Sequence, residues 1–135
     1  MPCKPFIIWR PVPDKSRFQA SVKGDDNFFD VQMDVESSSG LSKTIPEDEL
    51  APGPAEVPIN AGEHATFDLL LNITSKPQAG KPVIVDLRIV DENDKVVQVG
   101  DGHGGTRPAQ CASQFVDVTG NKPVGIVVVA VANKN

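Results

Sequence analysis

With 135 residues, 39% of them hydrophobic, and a formal charge of -5, the chain can bury one core without disulfide staples and is too short for two full domains. The acidic balance and the lack of any Lys/Arg cluster exclude the electrostatic footprint that phosphate-backbone binding depends on, so nucleic acid is not an expected partner. No run approaches the roughly 18 apolar residues of a membrane-spanning helix, so membrane insertion is not expected either.

Val and Ile carry much of the apolar content, and 12 prolines and 11 glycines break the chain into short pieces, which favours an all-β class. At the start, residues 6–9 suit a strand closed by Pro11 and Pro13, and proline there fits an edge position. Next, Phe18, Ala20 and Val22 alternate with Arg17, Gln19, Ser21 and Lys23. Phe29, Val31, Met33 and Val35 then alternate with Asp30, Gln32 and Asp34. Between these two strands, Gly24, Asp25, Asp26 and Asn27 tolerate a reversal, so the pair is expected as a hairpin.

From 37 to 62 the alternation stops and Ser, Pro, Gly and acidic residues take over, so a long polar, proline-rich loop is expected there. Within it, Thr44 and Glu47 fit a capping box. Glu47, Asp48 and Glu49 favour a helix N-terminus, predicting one short helical turn near 45–50. Residues 65–74 give the best alternation in the chain, and residues 76–82, rich in Pro and Gly, end it. Val83, Val85, Leu87 and Ile89 follow, then a turn at Asp91, Glu92, Asn93 and Asp94, then residues 95–99. Together these three segments read as an antiparallel meander. Residues 115–119 and 124–132 repeat the scheme as a further hairpin. The last strand is apolar on both sides, and so is either covered on both faces or set at a subunit interface.

About eight short strands at fairly even spacing predict a single antiparallel two-layer β-sandwich over 1–135, with a closed barrel as the alternative. The pattern resembles immunoglobulin-like or fibronectin-type sandwiches at the level of fold alone. There is no Cys…Trp…Cys spacing, Trp9 precedes the core strands, and a chain with no tyrosine has no tyrosine corner. The resemblance therefore implies a scaffold and no activity.

The sharpest local signal runs from 100 to 108, where four glycines surround His103, with Asp101 and Arg107 close by. Glycine admits a close ligand, and Asp, His and Arg bind anions or move protons. The spacing of Gly100, Gly102 and Gly105 does not make a dinucleotide site, because Pro108 and the polar run beyond it deny the following helix. Cys111 with His103 and Asp101 is the only local nucleophile set. Zinc would have to draw on His64, His103, Cys3 and Cys111, none spaced as a local pair. Asp25 and Asp26, and Asp91 and Asp94, are weak calcium candidates, but hairpin turns want the same residues. None of these patterns calls for a cofactor. Cys3 and Cys111 pair only if the chain works in an oxidising compartment. If Met1 is the native start the expected compartment is the cytoplasm, and a removed leader would place the chain outside the cell.

The leading expectation is a non-catalytic binding module that meets a protein partner, less readily a glycan, through its loops, with Asp101, His103, Arg107, Glu47 and Asp48 as contact residues. The alternatives are a self-assembling subunit joined through sheet edges at 6–9 or 124–132, and a small enzyme or metal-binding protein centred on His103.

Overall fold

A computed structural model describes residues 3, 6–13, 15–24, 29–51, 53–60, 62–74, 82–100, 103–115 and 122–132. The strands are β1 (Phe6–Val12), β2 (Ser16–Lys23), β3 (Phe29–Ser37), β4 (Ser42–Ile45), β5 (Ala55–Ile59), β6 (His64–Ile73), β7 (Val83–Val90), β8 (Gln98–Gly100), β9 (Thr106–Pro108), β10 (Gln110–Phe115) and β11 (Lys122–Ala132), with one helical turn, α1 (Glu47–Leu50). They form a five-stranded sheet in the order β1-β11-β6-β3-β4, a four-stranded sheet in the order β10-β7-β2-β5, and a ribbon of β8 and β9. All pairings are antiparallel except β1 with β11, so the larger sheet is mixed. Among the described residues each of the two larger sheets ends in two outer strands paired on one side only, and the chain is all-β without barrel closure.

Alternation builds both sheets. On β3, Phe29, Val31, Met33 and Val35 are buried while Asp30, Gln32, Asp34 and Glu36 are exposed; β6 buries Ala65, Phe67, Leu69, Leu71 and Ile73. The dry faces meet: the ring of Phe18 on β2 stacks on that of Phe67 on β6, with centroids 4.0 Å apart and 11° between planes. Buried residues of both sheets and of β8 join one apolar cluster.

The connections differ from the sequence expectation. β2 lies in the four-stranded sheet and β3 in the five-stranded one, so the hairpin expected at 24–27 is a crossing between sheets. β6 and β7 are likewise split, which overturns the meander. Of the strand expected at 115–119 only Phe115, the last residue of β10, is described, and 116–119 lie outside the described residues. After β7 the turn at 91–95 does form. Val90 bridges Val96 and the Val97 amide donates to the Ile89 carbonyl at 2.9 Å, but the chain then leaves to pair β8 with β9. The reason is physical: alternation states which side chains face the core, and a strand crossing to the opposite layer buries the same side chains as one folding back beside its neighbour.

The stretch expected as a long loop at 37–62 contains β4, α1 and β5. Ala55, Val57 and Ile59 are buried and Glu56 and Pro58 exposed, so β5 alternates in full. Pro58 disguised it, yet β5 is an outer strand, where a missing donor is tolerated. The helical turn falls where expected, but Thr44 does not cap it. Pro46 holds the N-cap position without a side-chain bond, and Thr44 Oγ1 donates to Asp34 Oδ1 at 2.7 Å. Glu47 Oε1 does not reach back along the helix; it accepts the Val31 amide at 3.0 Å.

β1 is an edge strand, as its prolines suggest, with a register shift between Trp9 and Val12. Cys3, just before β1, is bonded to Cys111 on β10, and its amide donates to Ser113 Oγ at 2.7 Å. Because β1 and β10 are outer strands of different sheets, the disulfide fastens the layers along one side. β11 sits between β1 and β6; residues 122–131 pair with β6 and residues 127–132 with β1, so its second half is paired on both edges.

Candidate functional site

The expected loop residues fall on the turn and second strand of the β8–β9 ribbon, as far as they are described. His103 is exposed in the turn between β8 and β9, and Arg107 is half-buried on β9 opposite Val99; Asp101 lies outside the described residues. This ribbon is rooted at the end of β7, where the Ile89 amide donates to the Ala109 carbonyl and the Ala109 amide to that of Val97. Glu47 and Asp48 sit on α1, which is held against Val31 near the start of β3. Short connections join Val12 to Ser16 and Ile59 to His64, and Arg17 pairs with Val90, so the ribbon marks one end of the strands. Val31 pairs with Leu71, near the far end of β6. The two expected contact regions therefore occupy opposite ends of the fold, and a surface shared between them is overturned.

The chemical alternatives also lose their parts. Cys111 is in the disulfide, so the nucleophile set with His103 and Asp101 has no thiol, and zinc loses both sulfurs. Asp91 Oδ1 accepts the amides of Asn93 at 2.8 Å and Lys95 at 3.1 Å, while Asp94 pairs with Arg17. Both weak calcium candidates in that turn are thus doing turn and ion-pair work; Asp25 and Asp26 lie outside the described residues. Among the described residues no three His, Cys, Asp or Glu side chains gather as a metal site, and no helix is long and apolar enough to cross a membrane.

Two surfaces that sequence reasoning did not assemble stand out instead. On the outer face of the five-stranded sheet, register sets side chains in rows: Phe6, Val127, Asp68, Asp34 and Thr44 in one, and Ile8, Val129, Thr66, Glu36 and Ser42 in the next. Leu70 follows, opposite Gly125 and Gln32. Phe6 is 58% exposed and Ile8 42%, beside half-buried Val127 and Val129, so the β1 and β11 side of this face is an open apolar stripe, and Leu70 on the neighbouring β6 is 44% exposed. The β6 and β3 side is acidic. Asp34 and Asp68 stand directly opposite one another, and a shallow depression of about 240 Å³ beside Leu70 is bordered by Asp30, Gln32 and Asn72. The signal was present in the two-sided apolarity of 124–132, but only pairing with β1 widens it into a surface.

The outer face of the four-stranded sheet is polar and cross-braced. Arg17 reaches Glu56 on β5 at 3.2 Å, the Asp91 carbonyl at 3.0 Å, and Asp94. The hydrogen bond to Asp94 raises the guanidinium's pKa above its ordinary value; burial opposes it, and the charges of Asp94, Glu56 and Asp91 add to it. Gln19 donates to Glu56 at 2.5 Å, and Arg88 pairs with Asp86 Oδ2 at 2.8 Å. Beside them opens a cavity of about 370 Å³ lined by Gln19, Ser21, Lys23, Gly53, Pro54, Asp86 and Arg88. Gly53 forms its wall at φ +74, where a Cβ would stand 2.9 Å from the Leu50 carbonyl oxygen and 3.0 Å from that of Ala20.

Comparison with family models, with curated proteins and with solved structures finds no match for this chain.

Proposed function

We propose that the protein is a non-catalytic binding module in which the two facing sheets make an immunoglobulin-like sandwich, and that its partner is a protein segment docking on the outer face of the five-stranded sheet. The observation that carries this reading is the stripe of Phe6 and Ile8 exposed beside Val127 and Val129, with Leu70 exposed on the neighbouring β6, since contiguous apolar surface left to water marks interaction sites. The occupant is defined by what borders the stripe. Asp34 faces Asp68 across the strands, with Glu36 and Asp30 nearby, so a segment carrying Lys or Arg beside apolar residues relieves like-charge repulsion as it docks.

A second copy of the chain fits less well. Full overlap of two identical faces sets acid on acid or acid on apolar, and the net charge of -5 adds repulsion. A glycan is disfavoured because Trp9 is buried and no tyrosine exists to stack on a sugar. The disulfide supports work in an oxidising compartment.

Selection of displayed random peptides against the full chain tests the reading. Selected sequences should alternate apolar residues with Lys or Arg, lose binding to a Phe6→Ser, Ile8→Thr double variant, and weaken against Asp68→Asn. Peptides that bind the double variant as well as the parent would overturn it, and so would a sedimenting dimer that the same variant dissociates, which would make self-association the use of this face.

A further inference from the structure

The outer face of the five-stranded sheet carries a second feature, at the end away from the β8–β9 ribbon. Asn72, Ile73 and Thr74 form Asn-X-Thr with X other than proline, the acceptor pattern for an N-linked glycan. No other asparagine of the chain is followed two positions later by Ser or Thr. A pattern this short arises often by chance, so placement and compartment decide whether it is used.

Placement meets the requirement. An attached glycan needs its asparagine on the wet side of the sheet, with open space above it. Ile73 is buried and pairs with Phe29, which turns the neighbouring Asn72 to the outer face. There Asn72 is half-buried, in register with Pro123 on β11 and with exposed Asp30 on β3. It borders the depression of about 240 Å³ together with Asp30, Gln32 and Leu70. Gly125, opposite Leu70, widens the opening toward β11, since a Cβ there would meet nothing within 4 Å. The strand position of Asn72 is no obstacle when transfer precedes folding, because the finished sheet has only to leave the sugar in water.

The compartment meets it too. Cys3 and Cys111 are bonded across 108 residues of sequence, and such bonds persist in the oxidising lumen through which secreted chains pass. That lumen is also where N-linked glycan is attached.

We propose that Asn72 is an N-glycosylation site, and that the first sugar of its glycan covers Leu70 and the depression beside it. In the transfer, Asn72 Nδ2 attacks C1 of the first sugar of an oligosaccharide carried on a lipid diphosphate. The Nδ2–C1 bond forms and the C1–O bond to the diphosphate breaks. The lipid diphosphate leaves with that electron pair, and the amide proton passes to a base of the transferase. Nothing is oxidised or reduced. Asp68 shares a row with Phe6, and Asn72 lies four residues further along β6, or about 14 Å of strand. The glycan therefore leaves Phe6 and Ile8 open and bounds the apolar stripe at one end.

The intact mass of the full chain from the cells that make it tests this, whatever docks on the stripe. The expected result is a mass above that of the polypeptide. An amidase that cleaves N-linked glycans should remove the excess and, in ¹⁸O water, leave a labelled aspartate that peptide mapping places at position 72. Made in the same cells, Asn72→Gln and Thr74→Ala should both lose the glycan, and Thr74→Ser should keep it, because the transferase needs the hydroxyl. Removing the glycan should shift the Leu70 methyl signals in NMR spectra and leave those of Ile8 in place. The Phe6→Ser, Ile8→Thr variant should be glycosylated as the parent is, which separates this site from the docking reading. A parent at the bare polypeptide mass, a label at another residue, a glycan that survives Thr74→Ala, or unshifted Leu70 methyls would overturn the assignment.

Discussion

The two outer faces of this molecule rest on one shared core and present opposite surfaces. Outward positions on β1 and β11 are Phe6, Ile8, Val127 and Val129, and those on β3 and β6 include Asp34, Glu36 and Asp68. On the other sheet the outward positions include Arg17, Gln19, Lys23, Asp86 and Arg88; Arg17 and Gln19 reach across to Glu56 on β5, and Arg88 pairs with Asp86 along β7. Inward residues fix the fold, so the outward ones are free to differ. One face carries unrelieved repulsion and open apolar area, and the other carries paired charge around a cavity. Surfaces of the first kind gain from covering; surfaces of the second kind are already held in place.

The comparison assumes a common core, and the largest effect comes from breaking that. Phe67 is buried on β6 and stacked on Phe18 of the other sheet. Phe67→Ala should cost about 3–5 kcal/mol, read from urea denaturation, and should broaden NMR signals on both outer faces together. Loss confined to one sheet would mean that the layers are separately stable.

Next in size is the Cys3–Cys111 bond, which spans 108 residues of sequence. Replacing both cysteines with serine should lower stability by about 2–5 kcal/mol through the freed unfolded chain. Hydrogen exchange should then rise first in β1 and β10, the strands the bond fastens. Because β1 bears Phe6 and Ile8, the apolar face should loosen more than the cavity face. Third comes Gly53→Ala, which places a Cβ against two carbonyl oxygens at a positive φ and should cost about 1–3 kcal/mol. That change should disturb the cavity and spare the stripe.

Much of this was legible in the chain. The inward sets of β2, β3, β6 and β7 follow from alternation alone, and the edge position of β1 from Pro11 and Pro13. Pairing was not legible, because Gly24 and Asp25 permit a hairpin and a crossing equally, and either choice buries Phe18 and Phe29. β5 was hidden by Pro58, whose cost depends on being at an edge, a fact about neighbours rather than about the segment. Thr44 and Glu47 matched a local capping pattern but found better partners in Asp34 and Val31, residues brought near only by the sheet. The candidate surfaces were least legible. The Asp86 cavity needs Ser21 and Gly53 from distant segments, and the stripe needs the parallel pairing of the first and last strands. The conspicuous glycine loop around His103 drew attention through composition, while the built surfaces lie on strands.

The smallest effects discriminate best, because the two faces should answer salt with opposite signs. Asp34 and Asp68 face each other on adjacent strands, and like charges so placed are destabilising, so Asp68→Asn should raise stability by about 0.2–1 kcal/mol at low salt. Added salt screens that repulsion, so the gain should shrink as ionic strength rises. Arg17 lies among Asp94, Glu56 and the Asp91 carbonyl. Replacing it with methionine should lower stability at low salt, and that loss too should shrink with salt, since it removes attraction. Its raised pKa adds no pH dependence near neutrality. The stabilisation is fully present below the unfolded value and is lost only as pH climbs through the still higher folded value, both far above the neutral range. Denaturant midpoints of parent, Asp68→Asn and Arg17→Met at low and high salt should therefore converge from above for one variant and from below for the other. Convergence from the same side would mean that the two faces do not differ electrostatically, and the case for a cationic partner on the first face would go with it.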